Sequence, residues 1–232
     1  MSRILIVEDD EKIAALEQDY LEMNGYETKI LGNGSQVIPE LEKEHYDLLL
    51  LDVMLPGCSG YDICRKIRDE IDIPILMVTA RSEGPDIIRG LGLGADDYIT
   101  KPFDPSQLVA RVRSHLKQYE RLTRKQEKVD DGAEKIVIQN LVIEPGTWKV
   151  WKDGEELRLP NREFELLCFL AKHPNLVFSK EKLFEAVWGY DFVSDAATVS
   201  VHINRLREKI EEDSRNPKII ETVWGVGYRM NL

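Results

Sequence analysis

From Arg3 to about residue 120, short apolar runs alternate with amphipathic segments. The runs lie at 4–7, more weakly at 27–30, then at 48–51, 75–78 and 98–99. Segments 11–24, 34–44, 59–70, 84–93 and 105–119 carry helical periodicity, and in the last Leu108, Val112 and Leu116 share one face. Strands alternating with helices of this length predict βαβ units, hence a five-stranded, doubly wound parallel sheet covered on both faces. Residues 121–134 are polar and lack a sustained apolar period, so they read as a linker that extends the last helix by a turn or two. The pattern then changes. Residues 136–138, 141–143, 148–151 and 157–159 are strand-like runs separated by Pro145-Gly146 and Asp153-Gly154, which predicts a small antiparallel sheet. Helices are expected over 161–172, with Asn161 as N-cap, over 179–188, with Ser179 as N-cap, and over 197–211. A hairpin of 221–223 and 228–230, with Trp224-Gly225-Val226-Gly227 at its tip, closes the sequence.

Length allows one large domain or two small ones: 232 residues at about 150 per domain is between one and two. The expected fold class is therefore α/β for residues 1–120, a linker over 121–134, and a small α+β domain over 135–232. No apolar run approaches the roughly 20 residues of a membrane span. The start, MSRILIVEDD, lacks a secretory signal's apolar stretch. Cys58, Cys64 and Cys168 make neither an even framework nor a CxxC pair, so a zinc site or disulfide scaffold is not expected and a reducing cytoplasm is. The net charge of −11 is unevenly placed. Residues 1–120 hold 13 Lys and Arg against 23 Asp and Glu, and residues 121–232 hold 18 against 19. The second half is near neutral, and charge alone does not announce nucleic-acid binding.

In a doubly wound sheet, functional groups collect at the carboxyl ends of the strands. The first strand ends in Glu8-Asp9-Asp10, the third in Asp52, the fourth in Thr79-Ala80, and the fifth is followed by Thr100-Lys101-Pro102. Three carboxylates on one edge repel one another, and a divalent cation resolves this; hard oxygen ligands with room for water and phosphate suit Mg²⁺. A carboxylate beside that cation can accept a phosphoryl group as an acyl phosphate. Asp52, alone at its strand end, is the expected nucleophile. Glu8 and Asp9 would hold the metal, with the Met54 carbonyl a further ligand. Lys101 would hold the transferred oxygens, and Thr79 would hydrogen-bond one of them. Taken singly, an acid after a strand is as often a helix cap, and Asp10 reads that way about as well as any other. Cys58 reads as a bystander in the loop after Asp52, Cys64 as helix core, and His45 and His115 as surface or helix-end residues.

The segments ILIVEDD (4–10), LLLLDVMLPGCSGYDICRKIR (48–68), PILMVTA (74–80) and GADDYITKPF (94–103) closely resemble the receiver domain of bacterial two-component response regulators. The resemblance implies phosphorylation of Asp52 by a sensor histidine kinase and Mg²⁺ held by Glu8, Asp9 and Asp52. It implies Lys101 on the phosphoryl group, and a switch in which Thr79 moves toward the phosphate while Tyr98 turns inward. It also implies a cis Lys101–Pro102 peptide bond.

In the helix at 197–211, Val199, Ile203, Leu206 and Ile210 fall at core spacing. The opposite face carries Thr198, Val201, Asn204, Arg205 and Glu208, with Ser200 beside them. Such a face can enter a major groove, where Asn pairs with adenine and Arg with guanine. Arg207 and Lys209 lie to the sides, where phosphate contacts are expected. Any exposed helix face can carry such residues, so the pattern alone leaves the matter open. Trp151 and Trp188 read as core aromatics. The stretches LPNREFELLCFLAKHPNLVFSKEKLFEAVWG (159–189), TVSVHINRLREKI (198–210) and IETVWGVGYRM (220–230) resemble the winged helix-turn-helix effector domain of the OmpR/PhoB subfamily. Many relatives have arginine where this chain has Ala197 and Trp224. Trp224 cannot supply a guanidinium to a narrow minor groove, though it can pack on sugar-phosphate or against the wing strands.

The same resemblance implies that the phosphorylated protein dimerises through the face of segment 84–93, the fifth strand and segment 105–119. There a basic residue usually pairs with a glutamate, at positions that here are Ile87 and Gln107. Asp96, Asp97, Arg111, Arg113 and Lys117 remain as candidates for the other cross-dimer salt bridges. The whole reading is a DNA-binding transcriptional regulator, not an enzyme in the ordinary sense, with a kinase and promoter DNA as partners and RNA polymerase as a candidate third. The alternative is a phosphate-independent regulator that uses the receiver as a dimerisation module. A metal-dependent phosphohydrolase is disfavoured, because Met54 stands where its second acid would be.

Overall fold

The structure is a computed structural model and describes residues 1–68, 70–80, 90, 92–126, 135–189 and 196–232, without the side chains of 118, 121–126 and 196–197. Packing divides the chain into Met1–Tyr119 and Glu120–Leu232.

The first unit contains β1 (Arg3–Val7), α1 (Glu11–Met23), β2 (Glu27–Leu31), a short 3-10 turn at Gly34–Gln36, α2 (Val37–Lys43), β3 (Leu48–Asp52), α3 (Gly60–Ile67), β4 (Ile75–Thr79) and β5 (Asp97–Thr100). The helix α4 (Pro105–Gln126) follows. All strand pairs are parallel, and the order is β2-β1-β3-β4-β5. β3 and β4 are buried at every position, as a sheet covered on both faces requires. The core between sheet and helices joins Ile4, Ile6, Leu48, Leu50, Leu76 and Val78 to Leu108, Val112 and Leu116. α4 is longer than the periodic segment 105–119 and runs into the expected linker, of which 127–134 lie outside the described residues. Most of the expected helix 84–93 also lies outside them.

Caps set the helix starts. Asp10 accepts hydrogen bonds from the N–H groups of Lys12 and Ile13 and opens α1. The Ser59 hydroxyl accepts from Asp62 N–H and donates to the Asp62 carboxylate, opening α3 just after the Asp52 loop. Ser59→Ala is expected to cost about 1 kcal/mol, read as a lower urea midpoint at unchanged slope. An unchanged midpoint would show that the cap does not hold α3. Gly60 is required by close approach: a Cβ there would lie 2.2 Å from the Asp52 carbonyl oxygen. The Lys101–Pro102 bond is cis, as expected.

The second unit has an antiparallel sheet of β6 (Ile136–Ile138), β7 (Leu141–Glu144), β8 (Lys149–Lys152) and β9 (Glu155–Glu156). Three helices follow: α5 (Asn161–Ala171), α6 (Lys180–Trp188) and α7 (Ala196–Ile210). A second sheet joins β10 (Val177–Phe178), β12 (Gly227–Met230) and β11 (Ile220–Val223) in that order. The core gathers Phe164, Leu167, Leu183, Trp188, Val199, Ile203, Leu206, Ile210 and Tyr228.

Four expectations need correction. The fourth strand is Glu155–Glu156, which pairs with β8, and not 157–159: Leu157 and Leu159 instead pack against the core. β10 was absent from the expected elements; two residues are too short for a period, and β12 recruits them. Asn161 is the first residue of α5, and Pro160 occupies the cap position without a side-chain bond. Trp151 is only half-buried, on the solvent-flanked sheet β6-β7-β8-β9. Ser179 does cap α6, accepting from Lys182 N–H.

Candidate functional site

β1 and β3 are neighbours, while the chain leaves β1 toward β2 on one side and reaches β4 and β5 on the other. This reversal marks the edge, at the strands' carboxyl ends, where ligands bind in such sheets. Glu8, Asp9 and Asp52 each offer a carboxylate oxygen there, all within 4.8 Å of one another. Asp52 and Glu8 are buried and Asp9 is exposed. Lys101, after β5, reaches across β4 to donate to Asp52 Oδ2 at 2.6 Å and Glu8 Oε2 at 2.5 Å. Met54 N–H donates to Asp52 Oδ1 at 2.9 Å, which fixes the carboxylate's rotation. Thr79 is fully buried at the end of β4, and its carbonyl accepts from Lys101 N–H. Tyr98 already lies inward, 7 % exposed.

The electrostatics follow from one ammonium serving two carboxylates. Burial, and then the adjacent Asp52 charge, push the Glu8 carboxyl above its usual range against the pull of Lys101. Burial opposes the Lys101 charge, but Asp52 and Glu8 together raise its pKa. The cluster has room in its chemistry for a further positive charge, and its all-oxygen donors suit a hard divalent cation.

Behind it stands a residue the motifs did not flag. Glu17 on α1 is 1 % exposed, and its Oε1 has no hydrogen-bond partner among the described residues. Burial, with repulsion from Glu8 and Asp52, raises its pKa to about 8. The helical period of α1 was the available signal, since position 17 falls on the inward face with Ala14 and Leu21.

The dimer candidates divide. Gln107 and Lys117 are exposed on α4, and Arg113 is exposed but hydrogen-bonds Asn24. Asp96 and Asp97, candidates for cross-dimer salt bridges, are each 3 % exposed and already paired within the chain. Asp96 pairs with the buried Arg68 at 2.9 Å and accepts from Ile75 N–H. Asp97 accepts from Arg111 Nη1 at 2.8 Å and contacts His115 Nε2 at 3.2 Å. Burial would raise its carboxyl, but His115 and Arg111 outweigh this and hold it at about 2. His115 is thus a buried partner and not a surface residue. His45 is exposed, and Cys64 is buried in α3. Ile87 lies outside the described residues.

In the second unit, Asn204 and Glu208 are exposed on α7 and Ser200 is half-buried, its hydroxyl 3.2 Å from Tyr228 OH on β12. Thr198 and Val201 are buried, so the open face of α7 is narrower than its helical period implied. Arg207 is not a free phosphate contact: its guanidinium is buried and donates to the Ile220 carbonyl and the Thr222 hydroxyl. Arg205 and Lys209 converge on the buried Glu163. Trp224 stands 90 % exposed at the tip of the β11–β12 hairpin. Gly227 keeps that hairpin tight against β10, for a Cβ there would lie 1.9 Å from the Phe178 carbonyl oxygen.

Two family models match the two units: "Response regulator receiver domain" over residues 4–113, and "Transcriptional regulatory protein, C terminal" over 154–230. The DNA-binding response regulator MtrA of Mycolicibacterium smegmatis is 42% identical over 227 residues, covering 98% of this chain and 96% of that one. MtrA of Mycobacterium tuberculosis matches to the same extent. The response regulator DrrB of Thermotoga maritima, an OmpR/PhoB homologue of solved structure, is 32% identical over 100% of this chain and 99% of its own, with a TM-score of 0.51. This chain belongs to the OmpR/PhoB family of response regulators. A RitR mutant of solved structure is 26% identical with a TM-score of 0.76, covering 100% of this chain. The regulator therefore joins a receiver domain to a transcriptional-regulatory winged helix. No helix among its described residues is long and apolar enough to cross a membrane.

Proposed function

We propose that this regulator accepts a phosphoryl group on Asp52 from a sensor histidine kinase, dimerises, and binds promoter DNA through α7 and the β11–β12 hairpin. The observation that carries the reading is the convergence of Glu8, Asp9, Asp52 and Lys101 at one sheet edge in a chain ending in a winged helix. An Asp52 carboxylate oxygen attacks phosphorus, the P–N bond of the kinase phosphohistidine breaks, and the imidazole, already protonated on its other nitrogen, leaves as the neutral base with the bond's electron pair. Met54 N–H holds the attacking carboxylate, and Lys101 turns from carboxylates to the transferred oxygens. Thr79, at the end of β4, would hydrogen-bond one of those oxygens. Glu8, Asp9 and Asp52, with the Met54 carbonyl, would hold Mg²⁺, which when bound supplies positive charge against the phosphoryl oxygens.

Tyr98 lies beside Asp97 on β5, so a shift at Thr79 can reach the α4–β5 face through one strand. There a second copy would meet Gln107 and Lys117, with the Asp97–Arg111 pair reopened or shared across the interface. Two winged helices would then address half-sites about one DNA turn apart. Asn204, Ser200 and Arg205 are the base-reading candidates on α7, with Thr198 and Val201 buried beneath them, and Trp224 at the hairpin tip is the candidate sugar-phosphate contact.

The test is DNA affinity of the full chain with Mg²⁺, before and after treatment with a small acyl-phosphate donor. The probe is a duplex that the treated protein selects from a random pool. Wild type is expected to gain at least about fivefold in affinity, and Asp52→Asn none. An equal gain in Asp52→Asn, or full affinity without the donor, would favour the phosphate-independent alternative.

A further inference from the structure

The three basic residues in the second half of α7 are all engaged inside their own domain. Arg207 is hydrogen-bonded to β11. Arg205 Nη2 lies 3.0 Å from Glu163 Oε1, and Lys209 Nζ lies 2.8 Å from Glu163 Oε2. Glu163 is 0 % exposed, while the two cations keep 14% and 28% of their side chains open. Arg205 and Lys209 are four residues apart and so share one helix face. Their common anchor sits in the first turn of α5, whose Arg162 is itself bound to the Val187 carbonyl and lies over the Trp188 ring at 5.6 Å. The turn that carries the carboxylate is therefore anchored; Lys209 hydrogen-bonds Glu163 Oε2, while Arg205 meets Oε1 as an ion pair outside hydrogen-bond geometry.

We propose that Glu163 is a positioning residue for DNA readout: its buried carboxylate aims the Arg205 guanidinium and holds Lys209 away from phosphates. This rests on the reading of α7 as the DNA-facing helix. A guanidinium held in place loses little freedom when it meets a base edge, so the correct base is rewarded. A lysine tied to a carboxylate adds little to sequence-independent attraction, which scales with the phosphates neutralised. Both effects act on the ratio of specific to non-specific binding and not on fold alone. The near-neutral charge of this half, 18 basic against 19 acidic residues over 121–232, has the same sense.

The prediction has opposite signs for two readouts. In the full chain, Glu163→Gln frees Lys209 and loosens Arg205. Affinity for a shuffled duplex rises, and its dependence on salt steepens by about 0.9 in log–log slope. Discrimination between the selected and shuffled duplexes falls about tenfold. In Glu163→Gln/Lys209→Gln the slope returns to the wild-type value while the loss of discrimination stays. That double variant also removes one charge of each sign, so it serves if the single variant does not fold. Unchanged discrimination in whichever variant folds would overturn the proposal, as would a Glu163→Gln salt slope equal to wild type. A wild-type protein that selects no sequence from the pool would instead overturn the DNA reading beneath it.

Discussion

Replacing Glu17 with leucine is expected to stabilise the receiver by on the order of 4 kcal/mol at pH 8 and hardly at all near pH 5. The cause is a carboxyl with 1 % exposure and a pKa of about 8 in the fold, against an ordinary 4.5. Between those values the folded protein keeps a proton that the unfolded chain releases. Stability therefore falls as pH rises from about 4.5 toward 8, at up to about 1.4 kcal/mol per unit. Leucine fills a similar volume and has no charge to bury, so it removes the penalty. Urea unfolding of both proteins in chelator at the two pH values measures it. An equal difference at both would mean that Glu17 is not held neutral.

Lys101→Met should have the opposite sign and comparable size. Glu8 and Asp52 share that one ammonium and are nearly inaccessible to water. Removing one partner of a buried pair costs about 3–5 kcal/mol, because the remaining charge is left uncompensated. A divalent cation on the same carboxylates should restore much of the loss. The melting temperature of Lys101→Met is thus expected to rise on adding Mg²⁺ by clearly more than that of wild type. If the variant melts like wild type in chelator, the lysine is not what neutralises the cluster. If Mg²⁺ leaves the variant unchanged, the carboxylates are not its ligands.

The receiver was legible because its signals are local and repeated. The strands β1, β3 and β4 are apolar runs that end at or just before Glu8, Asp52 and Thr79, and Lys101 follows β5, so the parallel order alone brings these residues to one edge. What the pattern could not tell was which polar groups turn inward. Asp96 and Asp97 look like loop acids, yet their partners, Arg68, Arg111 and His115, stand 28, 14 and 18 residues away. Arg207 has the spacing of a helix flank, and only the arrival of β11 at Ile220 buries it. Glu163 reads as an ordinary first-turn acid until Arg205 and Lys209 are folded over it. The strands β9 and β10, two residues each, exist because longer neighbours pair with them. Long-range pairing of charge leaves no periodicity to read, whereas burial of apolar runs does.

Phosphorylation of Asp52 is proposed to change the regulator's assembly. Intact mass and gel filtration of the full chain with Mg²⁺, with and without a small acyl-phosphate donor, test it most directly on wild type and Asp52→Asn. One added phosphoryl group in wild type only, together with a shift from monomer to dimer, is the expected result. Phosphate uptake by Asp52→Asn, or none by wild type, would contradict it.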